Sequence, residues 1–184
     1  MRFRDQLRDE MSSLTDFPEE MLTLLPSGYY EMDKQVVIKL KPPLEPYKTQ
    51  IAKKVAKILP RARGIWQREG QIKGKYRKPN GLVPLWGDNN PEVRVKENGV
   101  FYYFDFTKIM FAKGNVHERG LLPKKIKPNE IIVDMFAGIG YFTLGMGKTR
   151  KPQHIYAIEW NPVAFSYLEK NIQKNHIEEI VTPL

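Results

Sequence analysis

Two periods of apolar residues run through this chain, and the switches between them mark its elements. Val36-Val37-Ile38-Lys39-Leu40 is a β-branched run ended by Pro42-Pro43, which predicts a strand. From Tyr47 to Leu59 the apolar residues Ile51, Val55, Ile58 and Leu59 recur at helical spacing, with lysines at 48, 53, 54 and 57 between them. This predicts an amphipathic helix stopped by Pro60. Gly64-Ile65-Trp66-Gln67 predicts a further short strand. The runs 93–96 and 100–106 flank Glu97-Asn98-Gly99, and Asn-Gly between two alternating runs predicts a β-hairpin. In its second strand Val100, Tyr102, Phe104 and Phe106 share one face, while Phe101, Tyr103 and Asp105 share the other.

The pattern changes beyond the polar stretch 124–129, which reads as a linker. Ile131-Ile132-Val133-Asp134 is a short strand of the buried type, followed by the glycine turn 135–142 and a helix to about Lys148. His154 to Glu159 is a second strand that ends in an acid, and Asn161-Pro162 opens a helix with Phe165, Leu168 and Ile172 on one side. Strand, glycine turn, helix and strand form a complete β-α-β unit. The 54 residues from Ile131 onward suffice for β-α-β-α and the start of a third strand. A doubly wound sheet needs about six strands. The expected fold is therefore α/β, a small basic α+β module followed by the first part of a Rossmann-like domain.

Net charge refines these boundaries. The chain carries +9, but residues 1–33 carry −5, residues 34–78 carry +12, residues 79–127 carry +3 and residues 128–184 carry −1. The expected organisation is an acidic N-terminal extension over 1–33, a basic module over 34–123 and a nucleotide-type domain over 124–184. A +12 concentrated in 45 residues points to a phosphate backbone, bound through neutralised phosphates and released counterions. Lys53 and Lys57 on the predicted helix, and Lys73, Lys75, Tyr76, Arg77 and Lys78 in the loop 71–79, are the candidate RNA contacts. A tyrosine among cations can stack on a base while its neighbours hold phosphates.

Composition removes several classes of chemistry. The chain has no cysteine, which excludes disulfides, thiolate zinc sites and cysteine nucleophiles, and His117, His154 and His176 are scattered, so no metal site is expected. The longest apolar stretch, 131–147, contains Asp134 and four glycines and is too short and broken for a membrane span. The charged opening Met1-Arg2-Phe3-Arg4-Asp5 has no apolar segment behind it, so a cytoplasmic location is expected.

Three ligand classes compete for the glycine turn. A dinucleotide fingerprint requires a third glycine where Thr143 stands, and a P-loop ending at Gly147-Lys148-Thr149 requires glycine where Phe142 stands. What remains is Asp134-x-Phe-Ala-Gly-x-Gly-x-Phe, followed by Glu159 at 19 residues after Gly140, the spacing that places a carboxylate on ribose hydroxyls. This is the pattern of the nucleoside pocket of S-adenosylmethionine (SAM) enzymes.

With these residues in view, the sequence resembles a known family. Asp134-Met-Phe-Ala-Gly-Ile-Gly-Tyr-Phe-Thr-Leu, Glu159-Trp-Asn-Pro and Met110-Phe-Ala-Lys-Gly-Asn-Val-His-Glu-Arg119 are together similar to the tRNA position-37 modification enzymes, closely over residues 60–184 and loosely before them. The family has two branches, the guanine-37 N1-methyltransferases and the wybutosine-pathway aminocarboxypropyltransferases. Tyr141 after the second glycine, and Glu159 followed by Trp160, look like the second branch; the first more often has proline and aspartate there. The resemblance implies a class I SAM-dependent transferase that moves the 3-amino-3-carboxypropyl group to C7 of 4-demethylwyosine in tRNA(Phe). The alternatives are N1-methyl transfer and, because the second domain reads as incomplete, a non-catalytic RNA-binding fragment.

The resemblance also implies roles. Glu159 would hold the ribose hydroxyls, the turn 138–141 would line the cofactor, and Arg119 would meet the methionine end or the RNA base. Ala112, Asp134, Phe136, Ala137, Gly138, Gly140, Tyr141, Trp160 and Asn161 complete the expected cofactor set. Relatives often have serine where Ala112 stands. Neither the residues nor the resemblance assigns a general base.

Overall fold

The computed structural model describes residues 1–69 and 81–184, which fall into two units, one of residues 1–69 and 81–91 and the other Glu92–Leu184. The loop carrying Lys73, Lys75, Tyr76, Arg77 and Lys78 lies outside the described residues.

In the first unit, α1 (Phe3–Ser12) precedes β1 (Tyr30–Met32), β2 (Gln35–Ile38), α2 (Lys48–Ile58), β3 (Gly64–Arg68) and β4 (Leu82–Gly87). The sheet order is β1-β2-β3-β4, with β2 and β3 parallel and the outer pairs antiparallel. A parallel pair needs a crossover, and α2 provides it. The helical stripe of α2 buries Ile51, Ala52 and Val55 against Val36, Ile38 and Ile65 of the sheet. Asp33 and Lys34 turn β1 into β2 with φ of 47° and 65°, a left-handed pair of the kind that closes two-residue hairpins.

The acidic head is not an extension. Leu7 and Met11, one helical turn apart on α1, are fully buried in the same core, and α1 packs on α2. Across that contact Glu10 accepts hydrogen bonds from Lys54 at 3.1 Å and Lys57 at 2.6 Å, and these two lysines hold its carboxyl below the ordinary carboxylate range. Asp33 likewise faces Arg63. The acidic head and the described part of the basic segment, residues 34–69, thus belong to one folded body.

The second unit contains β5 (Glu92–Glu97), β6 (Val100–Asp105), α3 (Val116–Lys125), β7 (Ile131–Asp134), α4 (Thr143–Lys148), β8 (His154–Ala157), α5 (Pro162–Lys174) and β9 (Val181–Pro183). β7, β8 and β9 form a parallel sheet in that order. Ile155 and Ala157 of β8 are buried in the core with Leu144 of α4 and Leu168 and Ile172 of α5, whereas Ile131, Val133 and Tyr156 are exposed. Asn161 caps α5 by accepting from Val163 N, with Pro162 at the first helical position. Among the described residues no helix is long and apolar enough to cross a membrane.

The boundary expected at 123/124 falls instead at 91/92, because the hairpin belongs to the second unit. Asn98 and Gly99 form its turn with φ of 49° and 81°, and Val100, Tyr102, Phe104 and Phe106 are all buried. Its outer edge is held by α5. Phe101 N donates to Asn175 Oδ1 at 2.9 Å, Asn175 Nδ2 donates back to Phe101 O at 2.7 Å, and Tyr103 N donates to Asn171 Oδ1 at 2.8 Å. Two asparagine amides thus do for this edge what another strand would do. Asn175→Ala leaves both polar groups of Phe101 without their partner, and chemical denaturation should show a loss of about 2 kcal/mol.

Candidate functional site

The turn after β7 is fastened from three sides. Asp134 Oδ2 accepts from Thr143 Oγ1 at 2.7 Å and its Oδ1 from Phe136 N at 3.4 Å, which ties the strand end to the start of α4. Ile158 N donates to Asp134 O and Ala137 N to Ile158 O, which stitches the turn to the chain leaving β8. Gly138 and Gly140 then take φ of 59° and 95°, conformations that side chains oppose. With the turn in this path, Gly138 N donates to Glu159 Oε2 at 2.8 Å, while Asn161 N donates to Glu159 Oε1 at 2.7 Å. One carboxylate therefore joins the glycine turn to the start of α5. Each of its oxygens accepts one protein hydrogen bond and keeps a second lone pair.

These groups open on a cavity of about 360 Å³, within the range of small-molecule sites. Glu159 and Gly138 lie in its wall, and Phe136 and Trp160, 79% and 56% exposed, also line it. Arg119 approaches from α3. It is 3% exposed, and its Nε and Nη2 donate to the two oxygens of Glu97 at 2.6 and 2.9 Å. Nη2 also donates to Ala112 O at 3.0 Å, and the guanidinium carbon lies 4.9 Å from the Phe111 ring centre and 5.9 Å from that of Tyr141. The Glu97 carboxylate raises the guanidinium pKa above its already high ordinary value, so the charge is permanent. Tyr141 OH donates to Met110 O at 2.6 Å, and burial holds this phenol well above its ordinary pKa. It therefore lines the cavity as a neutral hydroxyl.

Of the eleven residues expected to hold the cofactor, Ala112, Arg119, Phe136, Gly138, Tyr141, Glu159, Trp160 and Asn161 line this one cavity. Asp134, Ala137 and Gly140 are absent from its lining and shape the turn instead. Lys108, Ile109, Met110, Asn115, Phe142 and Ala164 also line it. Met110, Asn115 and Phe142 fall inside motifs already visible in the sequence, but Lys108, Ile109 and Ala164 carried no signal. Nor did Glu97, which meets Arg119 from 22 residues away across the hairpin turn. Lys53 is exposed and has no ion pair among the described residues, whereas Lys57 is shared with Glu10.

A glycine-turn β-α-β unit with a carboxylate following the second strand, in a chain that also holds a basic α+β unit, defines a Rossmann-like fold. Comparison with known proteins narrows this class. The TRM5/TYW2 methyltransferase domain matches residues 93–184 and the TYW2 N-terminal domain matches residues 7–90. The chain belongs to the TRM5/TYW2 family. It is 38% identical over 178 residues to the tRNA(Phe) (4-demethylwyosine(37)-C(7)) aminocarboxypropyltransferase of Pyrococcus horikoshii, covering 96% of this chain and 61% of that protein. The crystal structure of P. horikoshii TYW2 in complex with MeSAdo matches with a TM-score of 0.77 at 32% identity, covering 99% of this chain and 63% of the other. The complex of aTrm5 and tRNALeu matches with a TM-score of 0.77 at 29% identity, over 100% of this chain and 54% of that one. The chain thus spans about three fifths of the length of its P. horikoshii relative.

Proposed function

We propose that this chain belongs to a tRNA-modifying enzyme that binds SAM and transfers its 3-amino-3-carboxypropyl group to C7 of 4-demethylwyosine at position 37 of tRNA(Phe), in the cytoplasm. The observation that carries the reading is the cavity, which gathers a carboxylate with two spare lone pairs, a permanent cation and two exposed aromatic rings. These suit a ribose diol, an amino-acid carboxylate and a flat base respectively, so the residues present fit SAM. The N-terminal match over 7–90 and the 38% identical relative favour aminocarboxypropyl over methyl transfer.

A bound sulfonium supplies electrophilic carbons, and in this transfer a bond forms from C7 to the methionine γ-carbon while the γ-carbon–sulfur bond breaks with its electron pair going to sulfur, releasing methylthioadenosine and the C7 proton. The chain's own contribution is orientation. Glu159 fixes the ribose, Arg119 takes the methionine end or the base, and the neutral Tyr141 phenol holds the wall at Met110 without acting as a base. The basic unit supplies phosphate contacts through exposed cations such as Lys53.

Incubation with SAM and tRNA(Phe) carrying 4-demethylwyosine, followed by nucleoside mass spectrometry, tests the reading. An aminocarboxypropyl gain with methylthioadenosine as by-product supports it, and a gain of one methyl assigns the other branch. Absence of SAM binding in calorimetry would leave the RNA-binding fragment. For the RNA side, Lys53→Ala should flatten the slope of log affinity against log salt by about 1 for one lost phosphate contact. Lys57→Ala should change it less, because Glu10 already neutralises that lysine.

A further inference from the structure

Arg119 is held too tightly to be described by its own contacts alone. A guanidinium has five N–H donors: one on Nε and two on each Nη. The hydrogen bonds to Glu97 Oε1, Glu97 Oε2 and Ala112 O account for Nε and both hydrogens of Nη2. Among the described residues, no hydrogen-bond partner is found for Nη1. Yet Nη1 is not a sealed polar atom: the buried side-chain atoms lacking a partner among the described residues are Gln50 Oε1 and Gln67 Oε1. Arg119 is 3% exposed and lines the cavity, so Nη1 is the guanidinium donor left over for a ligand in that space.

We propose that Glu97 is a positioning residue, which by its two-pronged grip turns Arg119 so that Nη1 alone is presented to the carboxylate at the methionine end of SAM. This rests on the reading of the cavity as a SAM site. Three surfaces fix the guanidinium. Glu97 fills one edge, Ala112 O takes the remaining Nη2 hydrogen, and the rings of Phe111 and Tyr141 lie close to its carbon. Only rotation about the side chain could offer a different edge, and the bidentate pair opposes that rotation. Lysine could not serve in place of Arg119, because a point charge satisfying Glu97 has no second, geometrically fixed donor to turn outward.

The test compares two ligands that differ in one arm. SAM carries the aminocarboxypropyl group and methylthioadenosine lacks it, while both share the adenosine that Glu159 would hold. In calorimetry, Glu97→Gln should weaken SAM by at least about tenfold and leave methylthioadenosine within about twofold of the unchanged protein. Arg119→Lys should give the same selective loss. The double variant should bind no worse than Arg119→Lys alone, since Glu97 acts through that arginine. Equal weakening of both ligands, or an additive double variant, would overturn the positioning role and leave Glu97 as a general support of the hairpin. Unchanged SAM binding in Glu97→Gln would overturn it as well. If the unaltered protein binds neither ligand, the SAM reading fails and the proposal with it. If it binds both and the variant does not discriminate, the positioning role alone fails.

Discussion

Alanine in place of Glu159 should weaken SAM binding by about two to three orders of magnitude, the sharpest loss expected from any single change in the cavity. Three interactions end together. The carboxylate accepts from Gly138 N at 2.8 Å and from Asn161 N at 2.7 Å, and its spare lone pairs are the acceptors a ribose diol requires. Charge-assisted hydrogen bonds contribute about 1.5–3 kcal/mol each, and about 1.4 kcal/mol is a factor of ten in affinity. Removal frees the glycine turn and the start of α5 as well as the ligand. Glutamine should recover little. Its amide offers one acceptor oxygen, so one of the two backbone N–H groups would face an NH2 donor. Calorimetry with SAM measures both variants, and a loss below tenfold for alanine would show that the ribose is held elsewhere.

The second large effect falls on stability. Gly140→Ala should destabilise the second unit by about 3 kcal/mol, the sum of a left-handed backbone penalty and an overpacked core. The backbone there has φ of 95°, and an added Cβ would lie 2.7 Å from Leu144 Cγ and 3.0 Å from its Cδ2. Leu144 is fully buried, so it cannot swing out to solvent to make room. Gly138→Ala makes a useful contrast. Its φ is 59°, and the new Cβ would lie 2.5 Å from Tyr141 Cε2, so the ring that lines the cavity must move. Denaturant midpoints should fall further for the first variant, and SAM affinity should fall further, relative to stability, for the second.

What the sequence disclosed follows from how local each signal is. The stretch from β7 to α5 was legible because its strands read as β-branched apolar runs, the two glycines announce the turn, and an acid follows the second strand; the burial expected of β7 was not met, since Ile131 and Val133 are exposed. The hairpin was legible because Asn98-Gly99 is the residue pair that its turn conformation favours. The turn between β1 and β2 uses Asp33-Lys34 in a similar left-handed conformation, and nothing in that pair advertises it. α1 was missed because its buried stripe is Leu7 and Met11 amid charges, and its glutamate finds its lysines only after folding. α3 was missed for a related reason. It holds Pro123 within its span, and it buries Arg119 beside Glu97 rather than presenting an apolar face. The domain boundary was misplaced because charge cannot report that Asn171 and Asn175 would reach back some seventy residues to hold β6.

That grip of α5 on the hairpin has a consequence for how such chains can be recombined. Every residue lining the cavity lies between Lys108 and Ala164, and the hairpin that braces Arg119 begins at Glu92. On the proposed reading, a chain exchanged at the Pro91–Glu92 junction would replace the unit assigned to RNA while the described cavity lining and its Glu97 brace stayed together on one segment. If the first unit selects the tRNA and the cavity performs the transfer, as proposed, the two tasks can diverge independently, each inherited as a separate block.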